Sequence, residues 1–518
     1  MRRREIIKAL SILSASAVLP AVGAPFKGVL ERFRAAAEAA ATMPFSAATV
    51  QEQARALAAK KFAYPKIDLP EALQELDYNA YRDIRFKRER AIWSFENLPF
   101  LVDLLHLGFI YKIPVEIYTV TDGQAQPLVY SPDLYTFGPL VQHPAESALK
   151  NFSGFRLRAL INRSDYYDEF AVFQGASYFR AVAKNQWYGV SARGLALKTA
   201  TPDGEEFPFF RTFWIERPPV ESSTVVVHAL LDSVSASGAY RFTIRPGETT
   251  VMDVESTLYP RVALKQVGLA PLTSMYFFAP NDQVGMDDFR NAVHDSDGLA
   301  IWNGRDEWLW RPLTNPNTLQ VSAFVDANPR GFGLLQRHRD FVYYQDLEAR
   351  YERRPSLWVE PIGDWGRGVV KLVEIPSNSE FNDNVVAFWE PSQPLPDQAE
   401  FRFTYRLHWC WTPPVVPPTA TTIETRIGAG PEPDSRRVVI DFVGGRLPEL
   451  SHEHPVIPAV TTSAGVVKEP VAYPNPAVGG WRLSFVLVPE GADSCDLRAT
   501  LYLDQELLSE VWSYRWTH

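Results

Sequence analysis

Phe401-Arg402-Phe403-Thr404-Tyr405-Arg406-Leu407-His408-Trp409-Cys410-Trp411 alternates large apolar and polar side chains without a break. Successive side chains of a β-strand point to opposite faces, so a period of two marks a strand with one buried face. The pattern returns along the chain. Tyr111, Ile113, Val115 and Ile117 alternate ahead of a Thr121-Asp122-Gly123 turn, and Tyr240, Phe242 and Ile244 run into Pro246-Gly247. Further alternation occupies 436–442, 481–488 and 497–503. The 41 Pro and 29 Gly punctuate these runs too often for long helices. Many short strands between turn residues predict an all-β fold built from sandwiches. Helical signals concentrate in 43 to about 76: Thr49-x-x-Glu52 fits a capping box, an Ala-rich run follows, and Pro70 can open a second short helix.

Glu390-Pro391-Ser392-Gln393-Pro394-Leu395-Pro396 interrupts the strand pattern. Closely spaced prolines make a stiff extended linker. The sequence therefore predicts a large β-sandwich domain over 43–391, a linker at 392–397 and a small immunoglobulin-like sandwich over 398–518. Cys410 and Cys495 are the two cysteines, so a disulfide framework is excluded. Strand alternation assigns Cys410 to the polar face, which favours free thiols over a core bridge.

At the N-terminus, Arg3-Arg4-x-Ile6-Ile7-Lys8 has the pattern of a twin-arginine export signal. The apolar stretch Ala9 to Val22 is shorter than the roughly 20 residues a spanning helix needs. Small residues at Val22-Gly23-Ala24 offer a cleavage site, with a second in the Ala-rich stretch before Thr42. The expectation is a signal peptide over 1–24, extending at most to about 41, and a mature protein without stable membrane insertion. Net charge is −9 and the basic residues are scattered, which argues against nucleic acid as partner. No Cys/His spacing resembles a zinc site and no Gly-rich phosphate loop is present, so neither metal nor cofactor is expected.

The aromatic content of 13% suits a sugar polymer, whose pyranose faces stack on rings without needing charge. Residues 294–391 concentrate six of the 14 tryptophans: Trp302, Trp308, Trp310, Trp358, Trp365 and Trp389. Rings beside Asp, Asn and Arg suit a carbohydrate groove, and they equally suit the core of a large sandwich. Two acidic clusters fall in the same region, His294-Asp295-Ser296-Asp297-Gly298 and Glu380-Phe381-Asn382-Asp383-Asn384. Glycoside hydrolysis commonly uses two carboxyl groups, one as acid and one as base or nucleophile. Asp in a loop also serves plain turn chemistry.

Longer blocks carry a resemblance. Tyr81-Arg82-Asp83-Ile84-Arg85-Phe86, Gly175-Ala176-Ser177-Tyr178-Phe179-Arg180, Tyr188-Gly189-Val190-Ser191-Ala192-Arg193-Gly194, Glu206-Phe207-Pro208-Phe209-Phe210-Arg211, Asp295-Ser296-Asp297-Gly298-Leu299 and Asn382-Asp383-Asn384-Val385-Val386-Ala387-Phe388-Trp389 are ordered and specific. With them the chain resembles the osmoregulated periplasmic glucan biosynthesis proteins, types G and D, and its twin-arginine leader resembles type D more. The resemblance implies a galactose-mutarotase-like β-sandwich followed by an immunoglobulin-like domain, a periplasmic location and β-1,2-glucan as partner, with other glucan-synthesis proteins as further partners. It implies control of the glucan backbone by an inverting endo-β-1,2-glucanase in which Asp383 is the general acid and Asp295 the base. Glu380 would be a relay or substrate-contact carboxylate, with Phe381 beside it where a small hydroxylated residue is expected. Tyr351, Trp302, Trp358, Trp365, Trp389 and Arg339 would line the groove. A non-catalytic glucan-binding protein is the alternative, and a sugar epimerase follows only from fold analogy.

Overall fold

A computed structural model describes residues 42–67, 69–141, 149 and 151–518. The leader expected at 1–24 lies outside the described residues. Contacts divide the chain into two compact units, Met1–Pro271 with Glu390–Cys410, and Leu272–Trp389 with Trp411–His518. This division crosses the boundary expected at 391–398. The opening stretch explains why: Phe401–Cys410 pairs along its length with Thr250–Pro260, Phe401 opposite Leu258 and Trp409 opposite Thr250. The proline-rich segment before it is also tied down, by an isolated bridge between Leu264 and Leu395.

In the first unit one sheet runs Met43–Pro44, Gln124–Pro127, Glu116–Thr121, Phe209–Glu216, Val225–Asp232, Ala236–Arg245, Thr250–Pro260, Phe401–Cys410. Its single parallel pairing joins Glu116–Thr121 to Phe209–Glu216. The second sheet joins Phe100–Leu105, Gly154–Arg163, Tyr166–Gln174, Tyr178–Ala181 and Ser191–Arg193 through antiparallel neighbours. Phe155, Phe173 and Phe179 of this sheet meet Phe213 and Phe242 of the first, with centroids 5.0–5.8 Å apart. Two sheets interleaving aromatic side chains make a sandwich. Asp122 and Gly123 both take positive φ, as a two-residue hairpin turn demands.

Three local expectations change. The helix Ala47–Ala58 starts two residues before Thr49: Ser46 is its N-cap, and the Thr49 hydroxyl oxygen accepts the Ser46 N–H at 3.1 Å. Tyr111 to Val115 is not a continuous strand: Tyr111 and Val115 make only isolated bridges, to Gly108 and Phe152, and the ladder begins at Glu116. Cys410 is buried, as is His408, because both faces of the strand are covered at this end. Both cysteines are free thiols.

The second unit is again a sandwich. One sheet runs Ser356–Ile362, Gly331–Leu335, Gly298–Trp302, Trp308–Pro312, Val511–Thr517, Ser494–Leu503, Val456–Thr462. It faces Thr421–Ala429, Arg436–Val443, Gly480–Val488 and Val466–Asn475 across a core rich in Trp310, Trp358, Trp481 and Trp512. Gly331 and Gly298 make room for this core: a Cβ there would lie 2.1 Å from the Trp358 ring and 2.2 Å from the Trp310 ring. A further ladder pairs Gln320–Ala327 with Arg367–Glu374.

Candidate functional site

The site lies within the second unit and starts from a two-strand pairing. Tyr276–Phe278 pairs with Val293–His294, which delivers the chain into Asp295-Ser296-Asp297 and then the strand Gly298–Trp302. The Asp295 N–H donates to the Met275 carbonyl at 2.8 Å and the Asp297 N–H to the Leu335 carbonyl at 2.9 Å. The Ser274 and Ser296 hydroxyls meet at 2.8 Å. This acidic loop is therefore fixed at its backbone, and Asp295 is 2% exposed.

The second acidic loop is fastened to the same strand. The Asn384 carboxamide oxygen accepts the Tyr276 N–H at 2.9 Å, while its amide donates to the Ile375 carbonyl at 3.1 Å. Asp383, just before Asn384, is 1% exposed. Met275 and Tyr276, adjacent in sequence, thus anchor the loops carrying both predicted carboxylates.

Glu380 begins a chain of contacts back to Asp295. The Tyr351 hydroxyl donates to Glu380 Oε2 at 2.8 Å. The Arg354 guanidinium lies 5.2 Å over the Tyr351 ring, and its Nη1 is 3.5 Å from Asp295 Oδ1. Burial, then the Glu380 charge, raises the Tyr351 phenol well above its ordinary value, outweighing Arg354. Tyr351 is therefore a protonated donor at neutral pH. Gln336 braces the arrangement from below, donating to the carbonyls of His294 and Tyr351, each at 3.1 Å.

Arg339 binds backbone. It donates to the Glu352 and Arg354 carbonyls, to the Ser356 hydroxyl and to the Trp411 carbonyl, and lies over the Trp411 ring at 5.0 Å. It shapes the turn that presents Tyr351 and Arg354. Trp358 and Trp389 are 1% and 0% exposed, so their rings belong to the core rather than to an open groove. Trp302 and Trp365 keep partial exposure; Trp302 stacks on Trp308 at 5.1 Å and Trp365 leans on Trp389 at 6.4 Å.

Four residues stand out that the sequence did not single out for this role. Arg354 links Tyr351 to Asp295, and Arg290 donates to Glu380 Oε2 at 2.8 Å. His338 donates from Nδ1 to Asp297 Oδ2 at 2.9 Å, stacks on Tyr343 at 3.9 Å, and places Nε2 3.8 Å from Glu424 Oε2. Burial pushes Asp297 up, but His338, His294 and Arg337 together outweigh it and hold the carboxyl below its ordinary range. Glu424 ends shifted the opposite way, raised chiefly by burial. A cavity opens among Asp297, Trp310, Arg337, His338, Tyr343 and Glu424. Among the described residues no three His, Cys, Asp or Glu side chains converge as a metal site requires, and no helix is long and apolar enough to cross a membrane.

Residues 45–516 match the family model described as "Periplasmic glucan biosynthesis protein, MdoG". Over 519 residues the chain is 52% identical to Glucans biosynthesis protein G of Bradyrhizobium diazoefficiens, covering all of both chains. It is 51% identical to the protein of that name from Rhodopseudomonas palustris over 518 residues, again covering both completely. The Vibrio cholerae protein of the same name is 51% identical over 483 residues, 92% of this chain and 88% of that one. These relatives correct the type D expectation: full-length similarity points to type G.

Proposed function

The chain belongs to the periplasmic glucan biosynthesis family, and we propose that within it this protein cuts the β-1,2-linked glucose backbone as an inverting endo-glucanase. One observation carries the reading. Glu380, Tyr351, Arg354 and Asp295 form an unbroken chain of contacts, and the loop of Asp383 is fastened to the strand that fixes Asp295.

In this reading the Asp383 carboxyl gives its proton to the glycosidic oxygen as the bond to the anomeric carbon breaks. Water attacks that carbon from the opposite face and passes its proton through hydrogen-bonded groups to Asp295. The new reducing end carries inverted configuration, and a separation that admits water between the carboxyls is what inversion requires. Neutral Tyr351 donates to Glu380 and orients that carboxylate toward the sugar hydroxyls. Trp365 keeps a partly exposed ring, whereas the Trp302 ring is packed by Trp308 at 5.1 Å and by the Arg330 guanidinium at 5.1 Å. Arg3-Arg4-x-Ile6-Ile7-Lys8 supplies export by the twin-arginine route, and other glucan-synthesis proteins are further partners of this protein.

The test uses purified mature protein and linear β-1,2-glucan. New reducing ends should appear with wild type and fall by at least about 100-fold in Asp383→Asn and in Asp295→Asn, the range expected for loss of general acid or base. Wild-type binding without release of reducing ends makes the protein a glucan holder and refutes hydrolysis. Release that survives Asp383→Asn rejects the assigned acid.

A further inference from the structure

Arg290 is gripped by three carboxylates from three separate segments. Asp288 binds it bidentately, with Nε–Oδ1 at 2.9 Å and Nη2–Oδ2 at 2.8 Å. Nη1 donates to Asp346 Oδ2 and to Glu380 Oε2, each at 2.8 Å. The guanidinium side chain is 11% exposed, so water competes weakly for it. A planar fork with five donors can hold three acceptors at once; an ammonium cannot match that geometry.

Each of the three acids is followed directly by a large, solvent-exposed apolar residue. Phe289 follows Asp288 and is 80% exposed, Leu347 follows Asp346 and is 74% exposed, and Phe381 follows Glu380 and is 49% exposed. The acids grip one cation while their neighbours stay exposed, and the Arg290 guanidinium also lies 5.7 Å over the Phe289 ring. Exposed large apolar residues singly need no explanation, but three held in register by one buried ion cluster form a constructed feature. Glu380 belongs both to this cluster and to the contact chain ending at Asp295, so the apolar rim is continuous with the site. Phe381, which stands where a hydroxylated residue was expected, has its ring in this rim.

We propose that Arg290 is a three-loop clasp and that Phe289, Leu347 and Phe381 form a sugar-ring platform at the mouth of the site, taking one stretch of linear β-linked glucan. The proposal rests on the glucan reading above. Ring faces and a branched aliphatic side chain suit the apolar faces of uncharged pyranoses, and Arg290, the cation at the centre of the three loops, is already held by three carboxylates. Arg290 is a positioning residue: it acts through Glu380, Asp346 and Asp288.

Two measurements test this separately. Binding of linear β-1,2-glucan is followed by calorimetry for wild type and for the triple variant Phe289→Ala/Leu347→Ala/Phe381→Ala. Affinity should fall about tenfold or more, on the scale of roughly 1 kcal/mol for an aromatic contact, with unchanged thermal midpoint. Hydrogen exchange is followed for Arg290→Gln and Arg290→Lys. The Gln variant should speed exchange together in 284–290, 344–350 and 379–384, because three carboxylates lose their shared cation. The Lys variant should restore part of that protection.

Wild-type binding that the triple variant retains rejects the platform and leaves the glucan reading standing. A wild type that does not bind glucan rejects the glucan reading and the platform with it. Unchanged exchange in any of the three segments of Arg290→Gln rejects the clasp, whatever the substrate.

Discussion

Acidification should weaken the second unit through His294 before it reaches any ordinary carboxylate. His294 is fully buried between Tyr276, stacked at 5.5 Å, and Tyr344, edge-on at 5.3 Å. Its Nδ1 lies 2.9 Å from the Gln336 carboxamide oxygen, an acceptor, so the neutral ring carries its proton on Nδ1. Nε2 has no hydrogen-bond partner among the described residues. Burial pushes the imidazole from 6.5 down to about 4, with His338 adding to the fall and Asp297 opposing it. A histidine with a depressed folded value stabilises fully above its unfolded value and loses that contribution as pH falls through the folded one. The window is therefore about pH 6.5 down to about 4. The full effect is about 3 kcal/mol, and about 2 kcal/mol of it is lost by pH 5. His106 in the first unit, lowered to about 4 by burial, adds a loss of the same sign. His294→Phe isolates the effect. It leaves the Gln336 oxygen without its donor and costs about 1–3 kcal/mol at every pH, but it abolishes this titration. Urea midpoints at pH 7.5 and pH 5 should thus differ by about 2 kcal/mol less in the variant than in wild type. The reasoning is refuted if both lose the same amount, or if the His294 ring proton titrates near 6.5 by NMR.

Two further substitutions follow from buried charge. Burial holds the Asp282 carboxyl at about 6, although it accepts the Asn315 N–H at 2.6 Å. A raised acid favours folding only where it is protonated, so stability should fall as pH rises from about 4 to 6. Asp282→Asn keeps the acceptor, should gain about 1–3 kcal/mol at pH 7.5, and should remove that slope in a denaturation series. Glu374 and Arg311 are a fully buried pair at 3.0 Å, and Glu374 also accepts the Thr314 N–H and hydroxyl. Glu374→Ala strands the Arg311 charge and should cost about 3–5 kcal/mol by urea unfolding, against a smaller loss for Glu374→Gln, which keeps an acceptor. Both variants remove the negative charge, so equal losses would place the energy in the lost charge rather than in the hydrogen bonds and packing that Gln retains.

The strand alternation at 401–411 was legible because a period of two needs no tertiary information. What it could not tell was how far each face is covered, and Cys410 and His408 are buried for that reason. The helix start moved for a similar reason. Ser46 and Thr49 are both competent caps, and packing of Val50 and Ala54 against Trp214 and Leu230 selects the phase. Asp295, Glu380, Asp383 and Tyr351 came from the family resemblance, not from spacing. Beyond the Asp288 contact two residues away, Arg290 acts on Asp346 and Glu380, 56 and 90 positions along the chain, and Arg354 on Asp295 and the Tyr351 ring; long-range pairing of this kind leaves no mark on a single sequence. The acid-then-apolar step at 288–289, 346–347 and 380–381 was visible, but only the shared guanidinium makes it a pattern.

The tryptophans of 294–391 were compositionally ambiguous, and glycines resolve them. A ring lying against a strand needs the facing position to lack a Cβ. Gly331 and Gly298 are those positions, and an added Cβ would come within 2.1 Å of Trp358 and 2.2 Å of Trp310. Glycine weakens a strand interior, so its presence there signals close approach by something large. Gly298 sits one residue after Asp297, and Gly331 pairs with Trp302 across the ladder. Both are thus in strands that emerge from the acidic loop or flank it. The buried Trp layer serves as the floor that fixes Gly298–Trp302, and through it the Asp295-Ser296-Asp297 loop, in one position. Catalytic carboxylates must be held by elements that do not yield when substrate binds. On this argument Trp358 is a structural residue, helping to hold in place the strands that follow and flank the Asp295-Ser296-Asp297 loop.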